Sequence, residues 1–355
     1  MKHFIFTTLL SVLCLPSLHA DEAGAKKVID QYEAEVNAWV TKINAAPDIA
    51  ARRELWKVIP DPDAFGLRLL RQLDGAWNQP WFLDYAPKLL QLAPAFSVKP
   101  VSENSTKTPL SVVRDSADRF HFASPKVGPL CLALVADSGP ATRKFLEKVE
   151  ANHPDKKVQG QAAMALALLS RELGDGGGFA QFKAQRIDWI RKAIIEAADV
   201  EVGNTTVGKM AEEFLFSISK LDKGMEAPDI LGWNVSEQAM RLSDYRGKPV
   251  IIVFWHTRMQ ASEETMAFLR KLEDRLGPKG VAVLGVASES RPALREMVKS
   301  GSVTWKNWLD ANGKIANLYQ VTDYPACWVL DGAGKVQYRG VPGPFAELTA
   351  EALVK

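Results

Sequence analysis

Two uninterrupted apolar runs in the last third of the chain, "PVIIVFW" (249–255) and "VAVLGVAS" (281–288), most constrain what this sequence can fold into. Such runs are typical of strands that are buried on both faces of a sheet. Residues 261–276 lie between them and place apolar side chains along one face of a helix. The pattern predicts a central sheet with helices on both of its faces.

The surrounding segments continue this α/β pattern over residues 224–355. Short strand-like pieces with Pro, Gly and Asn between them precede the first apolar run. Further along the chain, "ACWVLD" (326–331) and "KVQYRGV" (335–341) flank "GAG", which predicts a tight hairpin. A helix closes the chain, so the predicted order of elements is β-β-β-α-β-α-β-β-α.

Residues 21–222 have apolar residues at helical spacing and almost no strand alternation. Several segments carry a proline near their start, as "DPDAFGLRLLRQL" (61–73) does, which is typical of the first helical turn. We expect an all-α N-terminal domain of helix pairs, loosely HEAT-like but without a fixed period. Polar loops are expected at 97–109 and 174–179, and the domain boundary is expected at 219–226.

The first twenty residues have the parts of a secretory signal. Lys2 gives a short positive start, and Ala20 supplies the small residue expected before a cleavage site. The apolar run "FIFTTLLSVLCLP" (4–16) is too short to span about 30 Å of hydrocarbon. We therefore expect a signal peptide over residues 1–20 and a periplasmic or otherwise exported chain, soluble after cleavage. An uncleaved anchor is the alternative.

The charged residues argue against several classes of ligand. The chain has 44 basic and 42 acidic residues, a net charge of +2, so it lacks the basic excess that favours nucleic acid. Outside the signal, His121, His153 and His256 have no metal-ligand spacing, and no glycine-rich phosphate loop occurs. We expect no metal, no cofactor, no nucleic acid and no membrane span in the mature chain.

Four stretches of the last third resemble, in the right order, the TlpA-like, redoxin (AhpC/TSA-type) branch of the thioredoxin superfamily. They are "GMEAPDI", "LSDYRGKPVIIVFW", "LGVASES" with "WKNWLDANGKIANLYQV", and "TDYPACWVLDGAGKVQYRGV", the last similar to the family's cis-proline turn, strand and hairpin. The resemblance covers residues 224–355 and implies a thioredoxin-like domain with a mixed central sheet. The helical domain has a vaguer likeness to N-terminal extensions of bacterial redoxin proteins.

The family keeps two cysteines, separated by two residues, where the first central strand meets its helix. The resemblance places Met259 and Ser262 at those two positions. Dithiol exchange needs a thiolate that attacks a disulfide and a second thiol that releases the mixed disulfide, and a thioether can do neither. A serine hydroxyl is a weak nucleophile without a base, and His256 has no visible acid partner. We therefore expect Ser262 to cap the helix instead.

Two cysteines lie outside the predicted signal, Cys131 and Cys327, each within an apolar run. Cys327 follows Pro325 by two residues and would share a strand face with it, which makes Cys327 a weak candidate for a reactive thiol. We favour a buried core position for both cysteines, because cysteine is among the most buried residue types.

What remains of the family's site is a binding platform, because active relatives hold an extended peptide of the client beside the cis-proline. The platform has four residues: Trp255, Thr257, Tyr324 and Pro325. Trp305 and Trp308 are further candidate contacts, unless they pack in the core. The sequence predicts an exported, redox-inactive module that binds a peptide or protein client. One alternative is a thiol-disulfide oxidoreductase or antioxidant protein acting through Cys327 or partner thiols; another is that the helical half holds the function.

Overall fold

The computed structural model describes residues 20–100, 106–170 and 179–354. Residues 1–19 of the predicted signal peptide lie outside the described residues, as do parts of both predicted polar loops. Within the described residues, no helix is both long enough and apolar enough to cross a bilayer.

The chain packs into two compact units. Among the described residues, the first unit combines those up to Glu35 with those of Pro60–Ala197, and the second combines Val36–Ile59 with those from Ala198 onward. Residues 198–222, which the sequence analysis groups with the helical domain, therefore belong to the same unit as the C-terminal sheet. The division into two domains near residue 223 stays a prediction about how the chain folds.

Helix α1 (Glu22–Ala45) and helix α2 (Ile49–Trp56) open the described chain. Helix α1 begins in the first unit and ends in the second, and α2 belongs entirely to the second. The carboxylate of Asp48 caps α2, since it accepts a hydrogen bond from the backbone N–H of Ala51 at 2.7 Å.

The first unit is helical within the part of the chain that the structure describes. Its further helices are α3 (Pro62–Leu73), α4 (Phe82–Leu92), α5 (Pro94–Ser97), α6 (Pro109–Phe120), α7 (Val127–Ala133), α8 (Pro140–Asn152), α9 (Lys156–Leu169) and α10 (Phe179–Ala197). Asp61 caps α3, and Pro62 occupies its first turn, where the sequence predicts a proline. Helix α9 is buried along most of its length and packs against α7, α8 and α10. Cys131 in α7 is fully buried, which confirms its core position, and this burial raises the pKa of its thiol.

A short antiparallel pair, β1 (Glu201–Val202) and β2 (Thr205–Thr206), lies within the segment that the sequence analysis predicts to be helical. Gly203 turns the chain between the two strands with a φ of 58°, a backbone conformation that glycine adopts at little cost. Two-residue strands are too short for alternation to be visible in the sequence. Helix α11 (Val207–Phe216) follows this pair.

The rest of the second unit is an α/β domain. Its elements are β3 (Leu231–Trp233), β4 (Ala239–Arg241), β5 (Val250–Trp255), α12 (Ser262–Leu276), β6 (Ala282–Ala287), α13 (Arg291–Lys299), β7 (Lys306–Leu309), α14 (Lys314–Leu318), β8 (Ala326–Leu330), β9 (Val336–Gly340) and α15 (Pro344–Ala352). Strands β3 and β4 form a separate hairpin, and the main sheet has the order β7-β6-β5-β8-β9. Strands β5, β6 and β7 are parallel, whereas β8 and β9 are antiparallel to their neighbours, which confirms the predicted mixed sheet.

The predicted order of elements is incomplete, because it lacks β7 and α14. Strand β7 has four residues, beginning with Lys306 and Asn307, so it does not read as an apolar run. It nevertheless forms the edge of the sheet by pairing in parallel with β6. Helix α14 has only five residues, too few to show a helical period.

Alternate side chains of β5 face opposite sides of the sheet. Ile251, Val253 and Trp255 pack in one core cluster with α12 and α15, while Ile252 and Phe254 pack in another with α14 and the β3–β4 hairpin. Elements therefore cover both faces of the sheet, as the sequence predicts.

Trp255, Trp305 and Asn307 form a buried cluster at the end of β5, which we call the floor. The indole N–H groups of Trp255 and Trp305 both donate to Asn307 Oδ1, at 3.0 and 3.1 Å. Asn307 Nδ2 donates in turn to the carbonyl of Trp305 at 2.8 Å. Gly285 beneath the cluster admits this geometry, because a Cβ there would lie 1.9 Å from Asn307 Oδ1.

The interpretation of Trp305 and Trp308 as exposed contacts is wrong. Trp305 is 2% exposed and Trp308 is 0% exposed. Trp308 donates its indole N–H to the carbonyl of Met240 at 3.0 Å, so a hydrogen-bond partner inside the protein satisfies its polar atom. Both tryptophans are core residues.

Candidate functional site

Residues 256–262, which we call the site loop, run from the end of β5 to the first residue of α12, Ser262. Because β5 and β6 are parallel neighbours, their carboxyl ends meet at one edge of the sheet. Ser288 and Glu289 follow β6 and therefore lie beside the site loop. The backbone N–H of Ser288 donates to the carbonyl of Trp255 at 3.0 Å.

Met259 and Ser262, the two positions that the resemblance assigns to cysteines, lie at the α12 end of the site loop. Met259 is 4% exposed and belongs to the same core cluster as Trp255. Ser262 is the first residue of α12 and is also buried. The predicted capping role of Ser262 is wrong, because the cap position falls on Ala261 and no side chain caps this helix. A serine inside the first turn does not occupy the position from which a hydroxyl caps.

The buried carboxylate of Glu289 holds the start of the site loop. Glu289 Oε1 accepts hydrogen bonds from the backbone N–H of Thr257 and from its hydroxyl, the latter at 2.7 Å. Arg258 approaches the second carboxylate oxygen at 3.8 Å and donates to the carbonyl of Ser288 at 2.9 Å. The buried negative charge of Glu289 therefore has hydrogen-bond donors from Thr257 and a positively charged neighbour in Arg258.

The imidazole of His256 is engaged inside the loop. Its Nδ1 accepts the backbone N–H of Arg258 at 3.1 Å, and its ring packs on that of Tyr324 at 4.6 Å between centroids. Burial, with a further contribution from the Arg258 charge, lowers the pKa of His256 to about 4. The neutral ring is therefore the form present at neutral pH, and its Nδ1 is occupied by a main-chain donor.

The four predicted platform residues have different exposures. Trp255 is fully buried in the floor, so it supports the site loop from inside the domain. Thr257 is 4% exposed and is fully engaged by its neighbours. Tyr324 and Pro325 are partly exposed, the bond between them is cis, and the Tyr324 hydroxyl lies 3.1 Å from Ser288 Oγ. Whether these residues bind a client stays a prediction.

Cys327 lies in β8 directly opposite Val253 of β5. Its side chain is fully buried, in the same core cluster as Met259. Burial raises the pKa of its thiol, so the thiolate that disulfide exchange requires is disfavoured. This environment is typical of a core cysteine, and Cys327 forms no disulfide.

Helix α2 contacts the site loop, although about 200 residues separate them in the chain. Arg52 Nη1 donates to Thr257 Oγ1 at 2.7 Å, and the indole N–H of Trp56 donates to the carbonyl of Arg258 at 3.0 Å. Arg53 forms an exposed ion pair with Glu263 in the first turn of α12. These contacts of α2 are not predicted from the sequence.

A groove of about 230 Å³ runs between α2 and the start of α12. Its lining combines apolar and charged side chains, with Ile49, Trp56 and Met259 beside Arg52 and Glu264. Among the described residues, no three His, Cys, Asp or Glu side chains come together as they would to hold a metal ion.

The sequence contains a signal for one of the residues that hold the site loop and none for the others. Glu289 could have been found, because it follows the apolar run of β6, whose parallel neighbour β5 ends at the site loop. An acidic residue in that position is a candidate for the same sheet edge. Arg52 and Trp56 carry no such signal, since nothing in their local pattern links them to the site loop.

The fold and the site loop define a thioredoxin-type α/β domain, in which a mixed sheet is followed at the end of β5 by a loop and helix. Residues 224–339 match the model of the AhpC/TSA family. The match supports a redoxin domain of the thioredoxin superfamily in this part of the chain.

Curated relatives each match about a third of the chain. The thiol-disulfide oxidoreductase ResA of Bacillus thuringiensis is 29% identical over 118 residues, which is 33% of this chain and 68% of the relative. The protein of the same name from Geobacillus kaustophilus is 29% identical over 115 residues, 32% of this chain and 66% of the relative.

Solved structures also match part of the chain. The thioredoxin domain of a thiol-disulfide oxidoreductase from Bacteroides vulgatus is 22% identical, with a TM-score of 0.35, and the match covers 38% of this chain and all of that one. A thiol:disulfide interchange protein DsbE from Chlorobium tepidum is also 22% identical, with a TM-score of 0.34, over 38% of this chain and 99% of that one.

Proposed function

We propose that this protein is an exported thioredoxin-like module that has lost dithiol chemistry and binds a peptide or protein through the surface around its site loop. The observation that carries the proposal is the pair Met259 and Ser262, which the resemblance places where active relatives keep their two cysteines. A thioether and a hydroxyl cannot form the disulfide on which the exchange reaction depends.

The environment of the remaining described cysteines supports this proposal. Cys131 and Cys327 are each fully buried, and burial raises the pKa of both thiols. A thiol that is neither exposed nor ionised reacts slowly with a disulfide. The curated relatives are named thiol-disulfide oxidoreductases, but no observation of this chain favours Cys327 as a nucleophile.

The binding part of the proposal rests on the framework that the domain keeps. Tyr324 and Pro325 are partly exposed beside the site loop, and Tyr324 contacts both His256 and Ser288. A surface built on a rigid sheet edge can bind a partner without any sulfur chemistry. Export rests on the N-terminal sequence pattern alone.

A reductase assay tests the loss of chemistry. With dithiothreitol as the reductant, we expect the full chain to accelerate insulin disulfide reduction no more than its Cys327→Ala variant does. Turnover by the unaltered chain that disappears in Cys327→Ala would overturn the proposal and establish the oxidoreductase alternative.

The double variant Met259→Cys with Ser262→Cys tests the placement of the site. Because the framework is retained, we expect this variant to form a disulfide between the new thiols and to show reductase activity that the parent lacks. The matched control carries Met259→Cys alone, which has no resolving thiol. A folded double variant without a dithiol redox couple would show that the site loop is aligned wrongly with the family.

A further inference from the structure

We propose that α2 is a built-in, displaceable ligand of the site loop, and that the surface beneath it recognises a short basic, amphipathic helix. This inference rests on the proposed function and names the class of partner for that surface: a helical segment that repeats the contact pattern of α2. It goes beyond the family resemblance, because the match to the family model begins at residue 224 and does not include α2.

The contacts of α2 follow the spacing of one helical face. Ile49, Arg52, Arg53 and Trp56 stand at positions i, i+3, i+4 and i+7, the spacing by which an amphipathic helix occupies a groove. Ile49 packs against the core cluster under the site loop, and Trp56 lines the groove. An apolar residue at each end and two arginines between them therefore face the same surface.

The receiving surface is complementary to that face in polarity. Arg52 donates to Thr257 Oγ1, whose hydroxyl donates to the buried carboxylate of Glu289. Arg53 pairs with Glu263, and Trp56 donates to a main-chain carbonyl of the site loop. Tryptophan and arginine are also the residues that most often dominate the energetics of protein interfaces.

Helix α2 has the properties of a bound segment and not of a core element. It has eight residues, none of them buried, and helices shorter than about 12 residues are marginal in water without external contacts. Trp39 of α1 also supports α2. Its ring packs against that of Trp56 at 4.6 Å between centroids, and its indole N–H donates to the carbonyl of Leu55 at 2.7 Å. Loss of few contacts would therefore release it.

Tethering explains how a weak ligand can cover the surface. A short linker holds a segment at an effective concentration on the order of 1 mM, so α2 competes strongly with a free helix of the same affinity. A partner in trans then binds only if it exceeds this local concentration or if α2 is released first. The covering helix would act as an intramolecular competitor.

A labelled peptide tests the proposal on the full chain. The probe is a fluorescein-labelled peptide of residues 46–59, "APDIAARRELWKVI", followed by fluorescence anisotropy. We expect the full-chain variant Arg52→Ala with Trp56→Ala to bind it at least about tenfold more tightly than the unaltered chain, because its own α2 no longer competes. A Glu54→Ala chain, altered on the exposed side of α2, should bind it as weakly as the unaltered chain does.

The peptide with the same two substitutions is the specificity control and should bind neither protein. The proposal is overturned if the folded double variant binds the natural peptide no more tightly than the unaltered chain binds it. It is also overturned if the double variant binds the natural and the substituted peptides equally. Neither result bears on the proposed loss of dithiol activity, because the insulin assay tests that loss separately.

Hydrogen exchange gives a second measurement on the unaltered chain. If the peptide displaces α2, an excess of unlabelled peptide should speed hydrogen exchange at the amides of the chain's own α2. The exchange rates of the α12 amides should stay unchanged. If the amides of α2 exchange at the same rate with and without the peptide, α2 is a fixed part of the domain and the proposal fails.

Discussion

The floor and the site loop adjoin each other in the second unit, yet different kinds of contact hold them. Trp255, Trp305 and Asn307 of the floor are buried together and satisfy one another's hydrogen bonds within the α/β domain. The site loop instead depends on Glu289 and on α2, a segment outside the matched redoxin region. The difference indicates that the stability of the domain depends more strongly on the floor than on the contacts that hold the site loop.

The largest effect is expected from a change in the floor. Trp255→Ala should lower the free energy of unfolding by about 3–5 kcal/mol, because it removes a large buried side chain and leaves a cavity. Urea denaturation followed by circular dichroism measures this loss. The exposed Trp233 is the matched control, and Trp233→Ala should cost less than about 1 kcal/mol. Equal losses in the two variants would contradict the burial on which the floor is defined.

A smaller effect is expected where the loop meets the sheet edge. Glu289→Ala leaves the buried N–H and hydroxyl of Thr257 without their acceptor, and hydrogen bonds to a charged group contribute about 1.5–3 kcal/mol each. Because the substitution also removes the desolvation cost of the buried carboxylate, we expect a net loss of about 2–3 kcal/mol in the same unfolding experiment, less than the two hydrogen bonds together would give. Glu289→Gln keeps an acceptor oxygen and should lose less than half as much. If both variants were equally unstable, the negative charge would matter more than the acceptor.

The loop also makes stability depend on pH through His256. Its pKa is lowered to about 4 in the folded protein, against about 6.5 in the unfolded chain. Between these values the unfolded state binds more protons, so this contribution to stability is complete above about pH 6.5 and decreases as pH falls towards about 4. Between about pH 7.5 and about pH 5 the unaltered chain should lose about 2 kcal/mol that a His256→Gln chain does not lose.

Unfolding curves of both proteins at the two pH values measure that difference. Carboxylates that titrate in the same range are shared by the two chains, so their contribution cancels in the comparison. Parallel pH profiles would mean that His256 is solvated in the folded state, contrary to its burial and to the bond it accepts from Arg258.

A feature of the floor or of the site loop could be predicted from the sequence only where the residues that form it lie close together along the chain. The buried strand β5 and the positions of Met259 and Ser262 follow from one continuous stretch, so they could be read directly. The edge strand β7 could not, because its two buried residues are Asn307 and Trp308, which do not form an apolar run. The contacts of α2 join residues 205 positions apart in the case of Arg52 and Thr257, and no local pattern encodes such a pairing.

The smallest effect distinguishes two neighbouring arginines of α2. Arg52 is partly buried and donates both to Thr257 and to the carbonyl of Ala46, so Arg52→Ala should lower the free energy of unfolding by about 1–2 kcal/mol. Arg53 carries the same charge on the same helix, but its pair with Glu263 is exposed to solvent and screened by salt. Arg53→Ala should therefore leave the unfolding transition unchanged within error. A larger loss for Arg53→Ala than for Arg52→Ala would mean that surface charge, and not the Arg52–Thr257–Glu289 chain of hydrogen bonds, holds α2 against the site loop.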